Sequence, residues 1–352
     1  MSQRQQKIVW AEGLFLGQQH FQQWDRVFQR ELQQRSQLTT PHCWGLVSLN
    51  LLEEALEMGQ CRLESITAIL PNGQWVVHDS QRDGGPLLCD LTAGGDRVDV
   101  WLALPDNDRV AGINGYREQG RLCAWRADYQ EVADEHDPSR TREIIVGKPN
   151  LSLLRGDESR EHYSSFRLAS FEQQGDGRYT RVDSYIPPVV TLQASEQLQA
   201  WMARIRDLLS ARVRQLSQQR NSYGDIADMG SREMGPFLRL LQLRPALATL
   251  DHLIQQESSQ PETLYREMLR LITGLRDFQP DMPELELPLY QHGSLGSVFA
   301  TLETLLRESL AQSAKTASTA LSLSQESPAL LLAEGVPWSH LDRQHLYLGV
   351  YH

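Results

Sequence analysis

Two adjacent prolines, Pro187 and Pro188, separate stretches of different hydrophobic period. Proline fixes φ and lacks a backbone N–H, so a pair of them halts a preceding helix or strand and leaves a stiff exit. Upstream, apolar residues come in short runs with partial alternation. Downstream they recur every third or fourth residue. Side chains repeat at two residues per turn of a strand and at about 3.6 in a helix, so neither pattern fits the other element. The chain is therefore constrained to a strand-rich part followed by a helical one, and 352 residues are enough for two or three domains.

In the first part, residues 45–50, 62–69, 75–78 and 97–105 read as strands, the last ended by Pro105. Pro71-Asn72-Gly73 is a turn, because Asn-Gly supplies the positive φ that a tight hairpin needs. Residues 150–154, 165–169 and 179–183 are later strands, and the weakly patterned segment 117–147 is expected to hold long loops. Many short strands between turn clusters point to a β-sandwich. Ahead of them, Phe21, Trp24, Phe28 and Leu32 predict a helix over residues 21–37, with Trp24 and Phe28 packed onto a core.

Beyond Pro188 four helices are expected. The first, over 191–220, carries Leu198, Trp201, Met202, Ile205, Leu209 and Leu216 on one stripe. The second covers 236–256, with Pro236 and Pro245 each expected in a first turn. The third opens at Pro261 and ends in the run 279–283, and the fourth starts near Ser294, an expected N-cap. Short connections make this a four-helix bundle, whose stripes could equally serve self-association. Residues 313–327 are rich in Ser, Ala and Thr, a linker or a polar strand pair; His345 to Val350 then reads as a strand of an unfinished or truncated domain. The expected fold is multidomain α+β, with domains at 1–188, 189–315 and 316–352.

The formal net charge of −11 and the lack of a basic patch argue against a nucleic-acid binder. Cys43, Cys61, Cys89 and Cys123 are widely spaced, with no C-x-x-C, and read as small buried hydrophobes in a reducing compartment. No metal site, cofactor or catalytic group is expected. The histidines form no metal-binding spacing, and the glycines form no phosphate loop or dinucleotide fingerprint. Asp134, Glu135 and Asp137 beside His136 could hold a cation or simply make a solvated acidic loop. With no secretory h-region and no apolar run of spanning length, the chain is expected to be cytoplasmic, without direct membrane insertion.

The stretch from Ile8 to Arg26 gathers Trp10, Phe15, Phe21 and Trp24 around glycines and glutamines, as in a segment that anchors on something. Its V-W-x-E-G-L-F-L, followed by Q-H-F-Q-x-x-D-R, resembles the opening of the TssK family of type VI secretion baseplate subunits. Further matches run along the chain: Trp44-Gly45-Leu46, Pro71-Asn72-Gly73, Tyr185-Ile186-Pro187-Pro188, Arg244-Pro245-Ala246-Leu247, Pro261-Glu262-Thr263-Leu264-Tyr265 and Tyr290-Gln291-His292. Gln260 stands where the family more often has His, and Gly17 where it has Pro.

The resemblance implies a trimeric, non-enzymatic structural adaptor: a sandwich like the shoulder of phage receptor-binding proteins, a helical neck and a C-terminal head. In the family the N-terminal part joins TssG and TssF, and the head engages TssJ, TssL and TssM at the cytoplasmic face of the inner membrane. Here the head would be nearly absent. On this basis Trp10, Phe15, Leu16, His20 and Phe21 are candidates for the baseplate-facing surface or the trimer contact beside it; alternatively they tie the segment to its own sandwich. A receptor-binding protein for a cell-surface saccharide is the other function that such a plan allows.

Overall fold

The strand-rich part folds as two four-stranded antiparallel sheets and a smaller third one. The computed structural model describes residues 7–40, 42–114, 122–220, 231–278, 285–311, 324–327 and 330–332. A helix, α1 (Gln18–Thr39), comes first. The first sheet has the order β1 (Gly45–Leu51), β2 (Gln60–Ile69), β3 (Trp75–Asp79), with β4 (Leu87–Asp90) pairing the start of β2. The second joins β5 (Arg97–Pro105), β9 (Ser152–Arg155), β10 (Tyr163–Gln173) and β11 (Tyr179–Arg181) in the order β11-β10-β5-β9. Alternation sets the cores: Cys61, Leu63, Ile66 and Ala68 of β2 are buried, as are Val98, Val100, Leu102 and Leu104 of β5.

The third sheet corrects the expectation of long loops after residue 117. Here β7 (Trp125–Ala133) and β8 (Thr141–Pro149) form a long antiparallel hairpin, with β6 (Val110–Ala111) parallel to β7. Most of its residues face solvent on both sides, so its sequence shows no alternation. Its tip explains the acidic cluster: the Asp134 carboxylate accepts the backbone N–H groups of His136 and Asp137, and Asp137 accepts that of Ser139. These acids cap a turn. Residues 115–121 and 279–283 lie outside the described residues.

Past the prolines come α2 (Glu196–Arg220), α3 (Ser231–Gln255), α4 (Pro261–Arg276) and α5 (Leu295–Ala311). The α2 stripe is buried as expected, with Trp201 against Phe299 of α5 at 5.0 Å between ring centroids. Arg206 of α2 reaches Asp251 of α3 at 2.6 Å. Neither proline of α3 opens the helix; both lie inside it. Pro245 is tolerated there because it and Leu241, whose carbonyl loses its partner, are both exposed, so water can serve that carbonyl. The first unit of the chain runs Met1–Ser309. The second, Leu310–His352, holds one described hairpin, β12 (Ser324–Ser327) and β13 (Leu330–Leu332). The strand expected at His345 lies outside the described residues.

The motif prolines are the hinge of the first unit. Pro188 is buried, its carbonyl accepts the Leu46 N–H at 2.9 Å, and the Leu46 carbonyl accepts the Val190 N–H at 2.8 Å. The exit segment thus lies parallel to the start of β1. Tyr185 fixes its approach by donating its hydroxyl to the Arg167 carbonyl at 2.6 Å, under the Arg167 guanidinium.

A second tie joins the α4–α5 connection to β1. Buried His292 bonds through Nε2 to the Trp44 carbonyl at 2.8 Å and through Nδ1 to the Tyr290 hydroxyl at 2.7 Å. The carbonyl can only accept, so Nε2 carries the proton and Nδ1 accepts from Tyr290. The Tyr265 hydroxyl donates to the Pro288 carbonyl behind it.

Burial pushes His292 down from 6.5 to about 4, aided by His42 stacked on it and opposed by the Trp44 carbonyl. Between those values the unfolded chain takes up a proton that the native one refuses. The stabilisation by neutral His292 is therefore full above about pH 6.5 and lost as pH falls toward 4, by at most about 3 kcal/mol. Urea midpoints for the natural chain and His292→Gln at pH 7 and 4.5 check this. The natural chain should lose more stability on acidification; equal losses would refute the assignment.

Candidate docking interface

Nothing in α1 is buried, although the helix is 22 residues long. Phe21, Trp24, Phe28 and Leu32 lie on one stripe at 52, 58, 57 and 50 % exposure. Trp24 and Phe28 therefore do not pack onto the core of their own chain, contrary to the sequence-based expectation. Isolated helices are marginal in water, and an apolar stripe normally finds a partner. Leu32 borders a groove against the sheet, but no residue of this stripe is buried by the described residues of this chain.

The segment before α1 is as uncovered. Val9 is 78 % exposed and Phe15 91 %. A turn closed by the Leu14 N–H on the Ala11 carbonyl, with Gly13 at φ +80°, folds the segment short. Among the candidate residues, Trp10 and His20 come together at 6.3 Å between ring centroids, while Leu16 and Phe21 are exposed nearby. His20 is half-buried and has a local task. Its Nδ1 accepts the Gly17 N–H at 3.1 Å, satisfying a donor at the start of the helix.

Sequence reasoning missed the groove behind the helix. A cavity of about 530 Å³ lies between the C-terminal half of α1 and the β2–β3 turn, lined among others by Leu32, Gln33, Cys43, Ile69 and Trp75. Gln33 lies over Gly73, whose φ of +85° makes the expected turn. Trp75 and Val77 of β3 point outward, at 52 and 47 % exposure. The signal was present as two large apolar residues on the outer face of a short strand. Among the described residues, no group of three or more His, Cys, Asp or Glu side chains could hold a metal ion. No described helix is long and apolar enough to cross a membrane.

The fold of this sheet-and-helix body has known counterparts. Residues 20–352 match the family described as "Bacterial Type VI secretion, VC_A0110, EvfL, ImpJ, VasE". The chain belongs to the TssK family.

One relative is the type VI secretion system baseplate component TssK1 of Pseudomonas aeruginosa, 27 % identical over 314 residues, spanning 87 % of this chain and 69 % of the relative. The crystal structure of a TssK superposes with a TM-score of 0.78 at 26 % identity, over 94 % of this chain and 74 % of that one. A TssK-TssF-TssG baseplate subcomplex solved by cryo-electron microscopy contains a chain matching with a TM-score of 0.74 at 25 % identity, over 87 % of this chain and 99 % of that one. As in those TssK structures, the fold is mixed α+β with several sheets and helices.

Proposed function

We propose that this TssK-family chain is a structural, non-enzymatic component of a type VI secretion baseplate, acting as a trimer that docks on a TssF–TssG wedge through its N-terminal region. The observation that carries this reading is the uncovered apolar surface of α1 and the segment before it. The baseplate role of its relative TssK1 and the TssK-TssF-TssG subcomplex support a reading in which that surface is covered by TssF–TssG and, beside them, by the other copies of the trimer. Three copies would present the surface three times, and linked sites raise effective concentration without stronger single contacts.

In finer detail, residues 1–188 are the shoulder, with the two four-stranded sheets as its sandwich. Residues 189–315 are a four-helix neck, and 316–352 begin a head. Through such a head the trimer would be linked to the TssJ-TssL-TssM membrane complex, at the cytoplasmic face of the inner membrane. Trp10, Phe15, Leu16, His20 and Phe21 belong to the docking surface, His20 by fixing the start of α1.

The test is a pull-down against co-expressed TssF–TssG and, separately, the cytoplasmic parts of TssL and TssM, with the mass measured by light scattering. A trimer that retains TssF–TssG is expected. Trp10→Ala with Phe15→Ala should weaken retention at least tenfold while leaving helical content intact, since aromatic anchors dominate interface energetics. Loss of folding instead would mean that these residues hold the segment to its own chain.

A further inference from the structure

The first unit carries two incomplete surfaces of matching chemistry. One is the arm before α1. The other is the groove together with the edge of β3.

Along β3, the Leu70 N–H donates to the Gln74 carbonyl at 2.9 Å and the Ser80 N–H to the Glu64 carbonyl at 2.8 Å. In an antiparallel pair the bonded positions alternate, so Val76 and His78 also face β2. The N–H and C=O groups of Trp75 and Val77 therefore point away from the sheet. No strand pairs on that side among the described residues. β8 comes close to part of β3 without pairing with it, and its Lys148 reaches Asp83 and the Arg82 carbonyl beyond the end of the strand. The Trp75 carbonyl accepts the Gln74 side-chain amide at 3.3 Å. The open end of the edge, at Trp75, borders the cavity under α1. An unpaired edge beside a groove is the geometry that takes an added strand.

The groove lining contains amides, hydroxyls and apolar groups but no charged side chain. It suits an extended segment with little charge. The stretch from Ile8 to Leu16 has a single charged residue, Glu12, among six large apolar ones. That arm does not fill the groove of its own chain. It joins α1 at Gly17, whereas the lining of α1 begins at Gln29, about 18 Å further along the helix at 1.5 Å per residue. To reach the groove of its own chain the arm would have to double back along α1 from Gly17.

We propose that the arm of one copy docks in the α1–β3 groove of the next, adding as a strand against Trp75 and Val77. This rests on the trimer reading above. The arm and groove are different patches, so the contact is head-to-tail and closes as a ring when the rotation between copies is one third of a turn. A strand presents alternate side chains to opposite faces, so one face of each arm would lie on the neighbour while the other stays open to the wedge, and each edge would be protected from other pairings.

Cys43 lines the groove and serves as a built-in probe. Two differently tagged full-length forms are co-expressed. One carries Phe15→Cys and Cys43→Ser; the other keeps Cys43 and Phe15. A short bis-maleimide is then applied. Cys61 and Cys89 are buried with thiols pushed up to about 12 and about 11, and Cys123 is buried, so they stay unreactive. The expected result is a covalent heterodimer of the two tags, at least tenfold above a control with Cys43→Ser in both forms. An intact oligomer without the cross-link overturns the arm exchange and leaves the trimer reading standing. So does a single-tag form with Phe15→Cys and natural Cys43 that links only within itself. A monomer by light scattering overturns both.

Discussion

Gly45→Ala should leave the first unit unable to close, with a loss of about 4 kcal/mol or more, in the range that single substitutions seldom reach. Gly45 has φ +118°, a conformation that is costly for any residue with a side chain. An alanine Cβ there would lie 2.4 Å from the Pro188 carbonyl oxygen and 2.7 Å from the Val189 nitrogen. Both are backbone atoms, and the Pro188 oxygen accepts the Leu46 N–H at 2.9 Å, so neither side can yield without breaking the join. Gly84→Ala is the control. Its φ is +89°, but nothing lies within 4 Å of an added Cβ, so only the backbone term of about 1–2 kcal/mol remains. Urea midpoints, or recovery of soluble protein where unfolding is complete, separate the two. Equal losses would mean that the join of Pro188 to β1 contributes nothing.

That join shows which parts of the architecture could be read from residues alone. The paired prolines mark the change of period, and Gly45 follows Trp44 where a strand begins. Pairing of the exit segment with β1 is a contact between positions 46 and 189, and no local pattern encodes it. Likewise Tyr290-Gln291-His292 is legible as a motif, but its partner is the Trp44 carbonyl. The β7–β8 hairpin escaped because strand reading relies on one dry face, and this hairpin lacks one over most of its length. Pro245 was misplaced because proline is judged by the bond it removes, and only burial reveals whether the freed carbonyl reaches water. The candidate docking residues were legible as a cluster of aromatics, whereas the groove needed β3 set beside a helix some forty residues earlier in the chain.

Trp24→Ala combined with Phe28→Ala should dissociate the assembly. The spacing of Phe21, Trp24, Phe28 and Leu32 is sound as a helical stripe, and the error lay in assigning it to the chain's own core. Periodicity reports that a face is apolar; it cannot say whose surface covers that face. At 58 and 57 % exposure, Trp24 and Phe28 gain little from their own chain, so their removal should hardly alter the fold of the sheets. Between copies each can act as an anchor of about 2 kcal/mol, and the pair is then worth roughly a thousandfold in association per protomer. Light scattering across a dilution series should give a trimer for the natural chain at low micromolar concentration and a monomer for the double variant. The freed α1 should also lose helicity by circular dichroism, because a helix of 22 residues with no buried face has little to hold it. An unchanged mass with unchanged helicity would place the copy-to-copy contact elsewhere and leave α1 to the wedge alone.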